Sequence, residues 1–384
     1  MMKLLPLRQA FALLMSFTLA VGSAQATASE IGVTDTEILL GQSLGLTGPL
    51  AELTLDISNG ARAYVNEVNA RGGIHGRLLK VITMDDGYQA ANTLKNVEQM
   101  VNQDKVFAIF NVTGTPNCEA ILPLVKQTGV PFFSPFTGAD SLRNPPMPSV
   151  FNVRASYRDE TEKLVQHLQT VGIQRIGVVH QASSFGKDGL AGVEAAMTQR
   201  GMKPQAVASI QSNASDTDAA VTTISEGNPG AIILITAGRP TFEFIKSYNK
   251  TRRGVQFYTL SVMGASANIK ALGKDGVGVV VASVVPFPWS QAHPLVKEYQ
   301  SAMQKIGLTE YSFVSFESYI NARVLGASIE RAGKNLTRSG LVSAAENMRQ
   351  VSFGGFNVGF GKDSRQASKH VELTIIGANG KFIK

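Results

Sequence analysis

The chain has 384 residues, 44% of them apolar, with a formal net charge of +7 and a single cysteine. That apolar content supports large buried cores, and one thiol rules out an intramolecular disulfide. The basic residues are scattered, the tightest run being Lys250-Thr251-Arg252-Arg253, so the basic stripe with interleaved aromatics that would bind nucleic acid is missing.

The first segment predicts an export signal. Lys3 and Arg8 precede an apolar run over 11–21, and Ser23-Ala24-Gln25-Ala26 offers an A-x-A cleavage site near Ala26. The run is too short for a permanent membrane span, and no cysteine stands at the cleavage site to carry a lipid anchor. The predicted product is an exported, soluble chain whose length suggests two domains.

Beyond the signal, short β-rich runs alternate with helical ones. A strand over 38–44 enters the loop Ser43–Glu52, SLGLTGPLAE. A helix follows over 56–70, with Ile57, Ala61, Tyr64, Val65 and Val68 at helical spacing and Gly72-Gly73 as its stop. Strands over 78–84, 106–110 and 130–133 alternate with helices over 90–103 and from 113–116 to 127. After the Pro-rich stretch Asn144–Arg154 the pattern restarts. Helices are predicted over 160–171, 186–200, 218–226 and 239–250, and strands over 175–179, 206–210, 231–235, 256–260 and 278–285. Helices over 293–306, 312–332 and 338–348 come next, then β-like runs over 356–360 and 371–376. Two such series predict an α/β fold with parallel sheets in two lobes.

Three chemistries compete for the opening loop. Gly41-Gln42-Ser43-Leu44-Gly45 matches the G-x-S-x-G nucleophile elbow, but that elbow turns straight from strand into helix, and here more loop intervenes. None of His75, His167, His180, His293 and His370 stands in a motif, so an exported serine hydrolase is a remote alternative and no catalytic residue is expected. A phosphate loop is unsupported, because G-x-x-x-x-G-K-[ST] is absent and GFGKDS at 359–364 lacks its spacing. The histidines are too dispersed for a metal set, and Asp85-Asp86 reads as a turn cap. No metal and no cofactor are expected. The third reading is anion binding. Parallel sheets gather loops and helix N-termini at the carboxyl ends of their strands, where free N–H groups favour a negative group. The opening loop, 112–116 and 134–139 all suit this, with Thr115 a natural N-cap and Pro116 a natural first helical residue.

Longer stretches carry a family likeness: 44–86, 129–143 (GVPFFSPFTGADSLR), 150–168 (VFNVRASYRDETEKLVQHL) and 183–201 (SSFGKDGLAGVEAAMTQRG), with N-G-A-R…N-A-R-G-G-I-x-G-R the most specific part. The chain resembles the type I periplasmic solute-binding proteins of ABC importers, in the branched-chain amino acid-binding group. The resemblance implies two Rossmann-like lobes with parallel-sheet cores, joined by three crossovers. One lobe would comprise 30–153 plus 283–361, the other 154–282 plus 362–384. It also implies a periplasmic monomer that closes about a hinge on an amino acid or amino-acid-like carboxylate and presents it to the membrane subunits of an ABC permease.

By the same resemblance, Thr113, Gly114 and Thr115, with Ser134, Phe136, Thr137 and Gly138, would hold the ligand carboxylate, and Phe185 would pack over it. Relatives neutralise the ammonium with a glutamate in the loop matching 260–265. This chain has Met263 in that loop and no acid. Glu317 is a candidate replacement, with Asp86 and Asp140 as further ones. Arg239 would suit a second ligand carboxylate, and Tyr157 and Trp289 would wall the cleft. The missing acid keeps open an aromatic or aliphatic carboxylate without ammonium. A solute sensor serving a receptor is a second alternative.

Overall fold

The computed structural model describes residues 30–384, so the export signal read at 1–26 lies outside the described residues. The first series runs β1 (Glu37–Leu44), α1 (Ala51–Ala70), β2 (Leu78–Asp85), α2 (Ala90–Asn102), β3 (Ala108–Phe110), α3 (Thr115–Thr128), β4 (Phe132–Phe133) and β5 (Val150–Phe151). Its strands form one sheet in the order β2-β1-β3-β4-β5, every pair parallel. The second series runs α4 (Tyr157–Thr170), β6 (Ile176–Gln181), α5 (Ser184–Thr198), β7 (Ala206–Ile210), α6 (Thr217–Glu226), β8 (Ala231–Ile235), α7 (Arg239–Thr251), β9 (Gln256–Thr259), α8 (Ser266–Leu272) and β10 (Val280–Ser283). The chain then forms α9 (Pro294–Lys305), α10 (Phe313–Ala332), α11 (Arg338–Glu346), the hairpin β11 (Val351–Phe353) and β12 (Phe356–Val358), and finally β13 (Glu372–Ile376) and β14 (Phe382–Ile383). The second sheet has the order β14-β13-β10-β9-β8-β6-β7, parallel except for β13 and β14.

The fold is therefore α/β, with two lobes built on parallel sheets. Strands β8 and β10 are buried along their whole length, which is why they read as continuous apolar runs and not as alternation. Helix α1 returns to the first lobe's core through Leu53, Ile57, Ala61, Tyr64 and Val68, a stripe at helical spacing. Helix α10, from the far end of the chain, lies on α1. Tyr64 meets Tyr319 edge-on with centroids 5.7 Å apart. Gly60 brings the two backbones together, since a Cβ there would stand 1.9 Å from the Ser315 carbonyl oxygen. The segment after β5 is tied to the one before β13: the Asn152 amide donates to the Arg365 carbonyl at 2.7 Å, and the Ala367 amide to the Asn152 carbonyl at 2.8 Å.

Several elements differ from the sequence reading. Helix α1 starts at Ala51, not 56, because the Gly48-Pro49 turn leads directly into it. There Thr54 Oγ1 donates back to the Gly45 carbonyl at 2.6 Å. Helix α4 starts at Tyr157, three residues early, because Ser156 and Asp159 form a reciprocal capping box. Strands β5 and β14, helix α8 and the β11 half of the hairpin escape periodicity because they are too short to show it. Helix α8, for instance, spans only Ser266–Leu272 between Gly264 and Gly273.

Gly60→Ala tests the α1–α10 seam. The added methyl has nowhere to go, and overpacking of this kind costs about 1–3 kcal/mol. Urea unfolding should show a lower midpoint with an unchanged slope.

Candidate ligand-binding site

The register of each sheet fixes where its loops emerge. Leu44 stands opposite Asp85, and Thr113 opposite Phe136, so the loops after β1, β2, β3 and β4 leave the same edge. In the second sheet Gln181 stands opposite Ile210 and Leu234 opposite Thr259. The loops after β6, β8 and β9 likewise share an edge. The two edges face each other across a cavity. Leu50, Leu53, Tyr88, Thr113, Gly114, Thr115 and Phe136 line it from one side, and Tyr157, Phe185, Ala237 and Val262 from the other. Its volume is about 20 Å³, room for a water molecule.

Helices begin all around this space. Helix α3 starts at Thr115 with Gly114 as its N-cap at φ 96°, and no side chain caps it. Thr115 is therefore the first helical residue and not the N-cap its sequence suggested, because Gly114 takes the positive φ there, and Pro116, second in the helix, has no N–H to satisfy. Helices α1 and α7 have Leu50 and Gly238 as N-caps, also without a side-chain cap hydrogen bond. Helices α4 and α5 present Tyr157 and Phe185 from their first turns, with Ser156 and Ser183 as caps. Helix N-termini carry unpaired amides and partial positive charge. Five of them meet at this cavity.

The hydroxyls are already arranged. Thr115 Oγ1 and Thr137 Oγ1 are 2.6 Å apart and buried, and Thr113 Oγ1 donates to the Asn111 carbonyl at 3.2 Å. Ser134 is buried at φ 51°, and its Oγ has no hydrogen-bond partner. Gly138 lets Tyr157 come close, since a Cβ there would stand 2.6 Å from the Tyr157 ring. Tyr157 and Phe185 then form a tilted pair at 5.1 Å. Gly114 does the same for Tyr88, whose ring would lie 2.4 Å from an added Cβ.

Tyr88 was not singled out in the sequence. It sits at φ 59° just after Asp85-Asp86-Gly87, and that turn places it. The Tyr88 amide donates to Asp86 at 2.8 Å, and Ser43 Oγ and Thr93 Oγ1 donate to the same carboxylate at 2.7 and 2.9 Å. Asp85 takes the Thr47 hydroxyl at 2.7 Å and the Gly87 amide at 2.9 Å, which hold its carboxyl below the usual range. The Asp pair therefore organises turns, as its sequence suggested. The opening loop's Thr47 hydroxyl is committed to Asp85, and the lining comes instead from the apolar Leu50 and Leu53 of α1. Ser43 is fully buried on β1, bonded to Asp86 and Asn96 with no histidine among its partners. Its role there is structural.

The remaining candidates scatter. Met263 is buried in the core, and its neighbour Val262 lines the cavity instead. Arg239 is exposed and borders an adjoining crevice with Pro49, Glu52 and Phe242, which shares Leu50 and Leu53 with the cavity. Trp289 lies on another groove, in an aromatic cluster with Phe287, Phe313 and Phe382 at 5.0, 5.4 and 5.6 Å. Asp140 touches the second lobe only through its amide, which donates to Asp188 at 2.9 Å. Glu317 is buried, 3.4 Å from Nη1 of Arg154, a residue the sequence reading passed over. The Arg154 guanidinium lies 5.4 and 5.6 Å from the ring centroids of Phe136 and Tyr157, behind the cavity wall. No aspartate or glutamate lines the cavity. Among the described residues no cluster of three or more metal-ligating side chains occurs, and no helix is long and apolar enough to cross a membrane.

Comparison with known proteins agrees with this geometry. The family model described as periplasmic binding protein matches residues 37–381. A possible leucine/isoleucine/valine-binding protein from Rhodopirellula baltica SH 1 has 31% identity and a TM-score of 0.86, covering 94% of this chain and 98% of its own. A substrate-binding periplasmic protein from Ralstonia solanacearum has 31% identity and a TM-score of 0.85, covering 90% of this chain and 99% of its own. The Leu/Ile/Val-binding protein homolog 7 of Brucella abortus (strain 2308) is 20% identical, covering 95% of this chain and 94% of its own length.

Ser43→Ala checks the structural reading of the elbow-like motif. It removes one of the donors to a buried carboxylate, a loss of about 1–3 kcal/mol that denaturant unfolding will register. A fluorophosphonate probe should leave the unsubstituted protein unlabelled at Ser43.

Proposed function

The chain belongs to the periplasmic binding protein family, with the type I fold, and from that premise we propose that it is the substrate-binding component of an ABC importer for a small carboxylate with an apolar body. One observation carries the reading: uncapped helix N-termini and threonine hydroxyls meet at a cavity whose other walls are leucine, tyrosine, phenylalanine, alanine and valine side chains. The carboxylate would dock at the start of α3, on the Thr113 and Thr115 amides and the Thr115 hydroxyl; the Gly114 amide donates to the Phe136 carbonyl at 3.3 Å, and Ser134, Thr137 and Gly138 are not among the residues lining the cavity. The apolar body would lie between Phe136 on one lobe and Tyr157 and Phe185 on the other. Contacts that exist only when both lobes touch the ligand favour the closed form. In the periplasm, that closed form would dock on the permease.

The acid-free wall bears on the ligand's other end. An ammonium buried without a counter-charge or acceptors is costly. The reading therefore favours aromatic or branched aliphatic acids lacking an α-ammonium. The names of the Rhodopirellula and Brucella relatives favour a second reading, a branched-chain amino acid, with the Tyr88 and Tyr157 hydroxyls taking the ammonium.

Thermal shift and calorimetry on matched pairs separate the two. The pairs are 4-methylpentanoate against leucine, and 3-phenylpropanoate against phenylalanine. The acids should raise the melting temperature and the amino acids should not. Stabilisation by leucine alone would establish the second reading, and no stabilisation by any carboxylate would end both. Phe185→Ala should weaken binding of the responding acid by about tenfold or more, the loss of roughly 1.5–3 kcal/mol of aromatic burial.

A further inference from the structure

A buried charge cluster sits where the lobes meet, outside the cavity lining. Arg154 stands in the segment joining β5 to α4. Its Nη2 donates to Glu160 of α4 at 2.9 Å and also to Ser261 Oγ. Glu160 in turn accepts the Ser261 amide at 2.8 Å and its hydroxyl at 3.0 Å. This half belongs to the second lobe. The other half is Glu317 of α10, the helix packed on α1 of the first lobe. It approaches Arg154 Nη1 at 3.4 Å. Its Oε1 has no hydrogen bond, and neither do Arg154 Nε and Nη1. The second-lobe half is thus well bonded, and the 3.4 Å contact between the halves has no hydrogen bond.

Every ionised group facing Glu317 can be named. Arg154 attracts its charge, Glu160 repels it, and Arg143 adds a more distant attraction. Arg143 is occupied by the carbonyls of Ala139, Thr137 and Arg154 at 2.8, 3.2 and 3.3 Å. Burial works against the charge of Arg154, but Glu317 and Glu160 outweigh it and keep the guanidinium ionised. One guanidinium therefore serves two buried carboxylates. Glu160 holds the hydrogen bonds, and Glu317 has only proximity.

We propose that closure of the lobes buries Glu317 against Arg154 with uptake of a proton, so that this pair is a positioning element linking lobe closure to pH. Burial pushes the Glu317 carboxyl up to about 7 from the ordinary 4.5. Opening returns it to water and toward the lower value. A group raised in the closed form favours that form fully below the open-form value, and the advantage disappears as pH rises through the closed-form value. The closed-to-open ratio should fall by up to about tenfold per pH unit across this window, then level off above about 7. The proposal rests on hinge closure but not on the identity of the solute.

The test needs no ligand. Lys95 on α2 and Lys187 on α5 are exposed, one on each lobe, and the only native cysteine, Cys118, is buried. Spin labels at Lys95→Cys and Lys187→Cys report the interlobe distance by double electron–electron resonance. The short-distance population should shrink as pH rises through about 7. Glu317→Gln, a neutral isostere, should abolish that dependence. Glu160→Gln removes the repelling carboxylate and should move the midpoint to lower pH, which keeps the idea testable if Glu317→Gln folds poorly. A distance distribution indifferent to pH, or one that responds identically in Glu317→Gln, overturns the proposal. Failure of the carboxylate screen leaves it standing.

Discussion

Helix N-termini cannot satisfy their own first amides, and in this molecule that deficit is concentrated in one place. A parallel sheet forces each loop that follows a strand to emerge at the same edge, where the next helix begins. Two such sheets facing each other bring the starts of α1, α3, α4, α5 and α7 to a common cavity. Serines cap two of these helices, and the other three have no side-chain cap. Dehydrating an unpaired amide costs roughly 1–3 kcal/mol. The amides of Ala51, Gly114 and Tyr157 donate to the Gly48, Phe136 and Gly138 carbonyls; in the proposed reading, closure on an anion would satisfy those helix-start amides that the fold leaves without a partner. On that reading, coupling between solute and lobe movement would follow from this topology before any particular side chain is considered.

The seam between the lobes is consistent with a balance that a small ligand can tip. Its polar contacts include an exposed ion pair, Lys270 to Glu310 at 2.9 Å, and the Tyr157 amide donating to the Gly138 carbonyl at 2.8 Å. The Asp140 amide meets Asp188 at 2.9 Å, the Ser266 amide meets Asp56 at 3.3 Å, and Gly238 allows the Pro49 carbonyl to approach. Burial raises the carboxyls of Asp56, Asp188 and Glu317 alike. The contacts of these three carboxyls thus carry a desolvation cost that offsets part of their gain. A seam of strongly favourable pairs would hold the lobes shut regardless of cargo.

Much of this architecture was legible in the chain because burial on both faces of a parallel strand leaves an unbroken apolar run. The run at 231–235 coincides with β8, which is buried throughout, whereas the one at 206–210 coincides with the edge strand β7, buried only at Ala208 and Ile210. Thr115-Pro116 and Gly138 stand out because backbone geometry restricts which residues such positions accept. What stayed hidden depends on distance between elements. The rarity of Trp289 does not say on which side of the hinge its ring packs, and a basic residue opening a helix, as Arg239 does, does not reveal whether it faces the cavity. Arg154 escaped notice because a crossover segment has no period, and its partners lie 6, 107 and 163 positions away in sequence. Tyr88 carried one usable signal, a bulky residue directly after an Asp-Asp-Gly turn at a strand's carboxyl end.

The absence of an acid in the cavity wall has a consequence for selectivity. The carboxylates nearest the site, Glu160 and Glu317, are turned to Arg154 behind Phe136 and Tyr157. Recruiting Glu160 to a ligand ammonium would leave the buried guanidinium without its hydrogen-bonded counter-charge, a penalty of about 3–5 kcal/mol when one partner of a buried pair is lost. On the proposed reading, the arrangement would discriminate by what it withholds. Both an amino acid and its deaminated counterpart offer a carboxylate to the helix ends, but only the second can bury its remaining surface without stranding a charge.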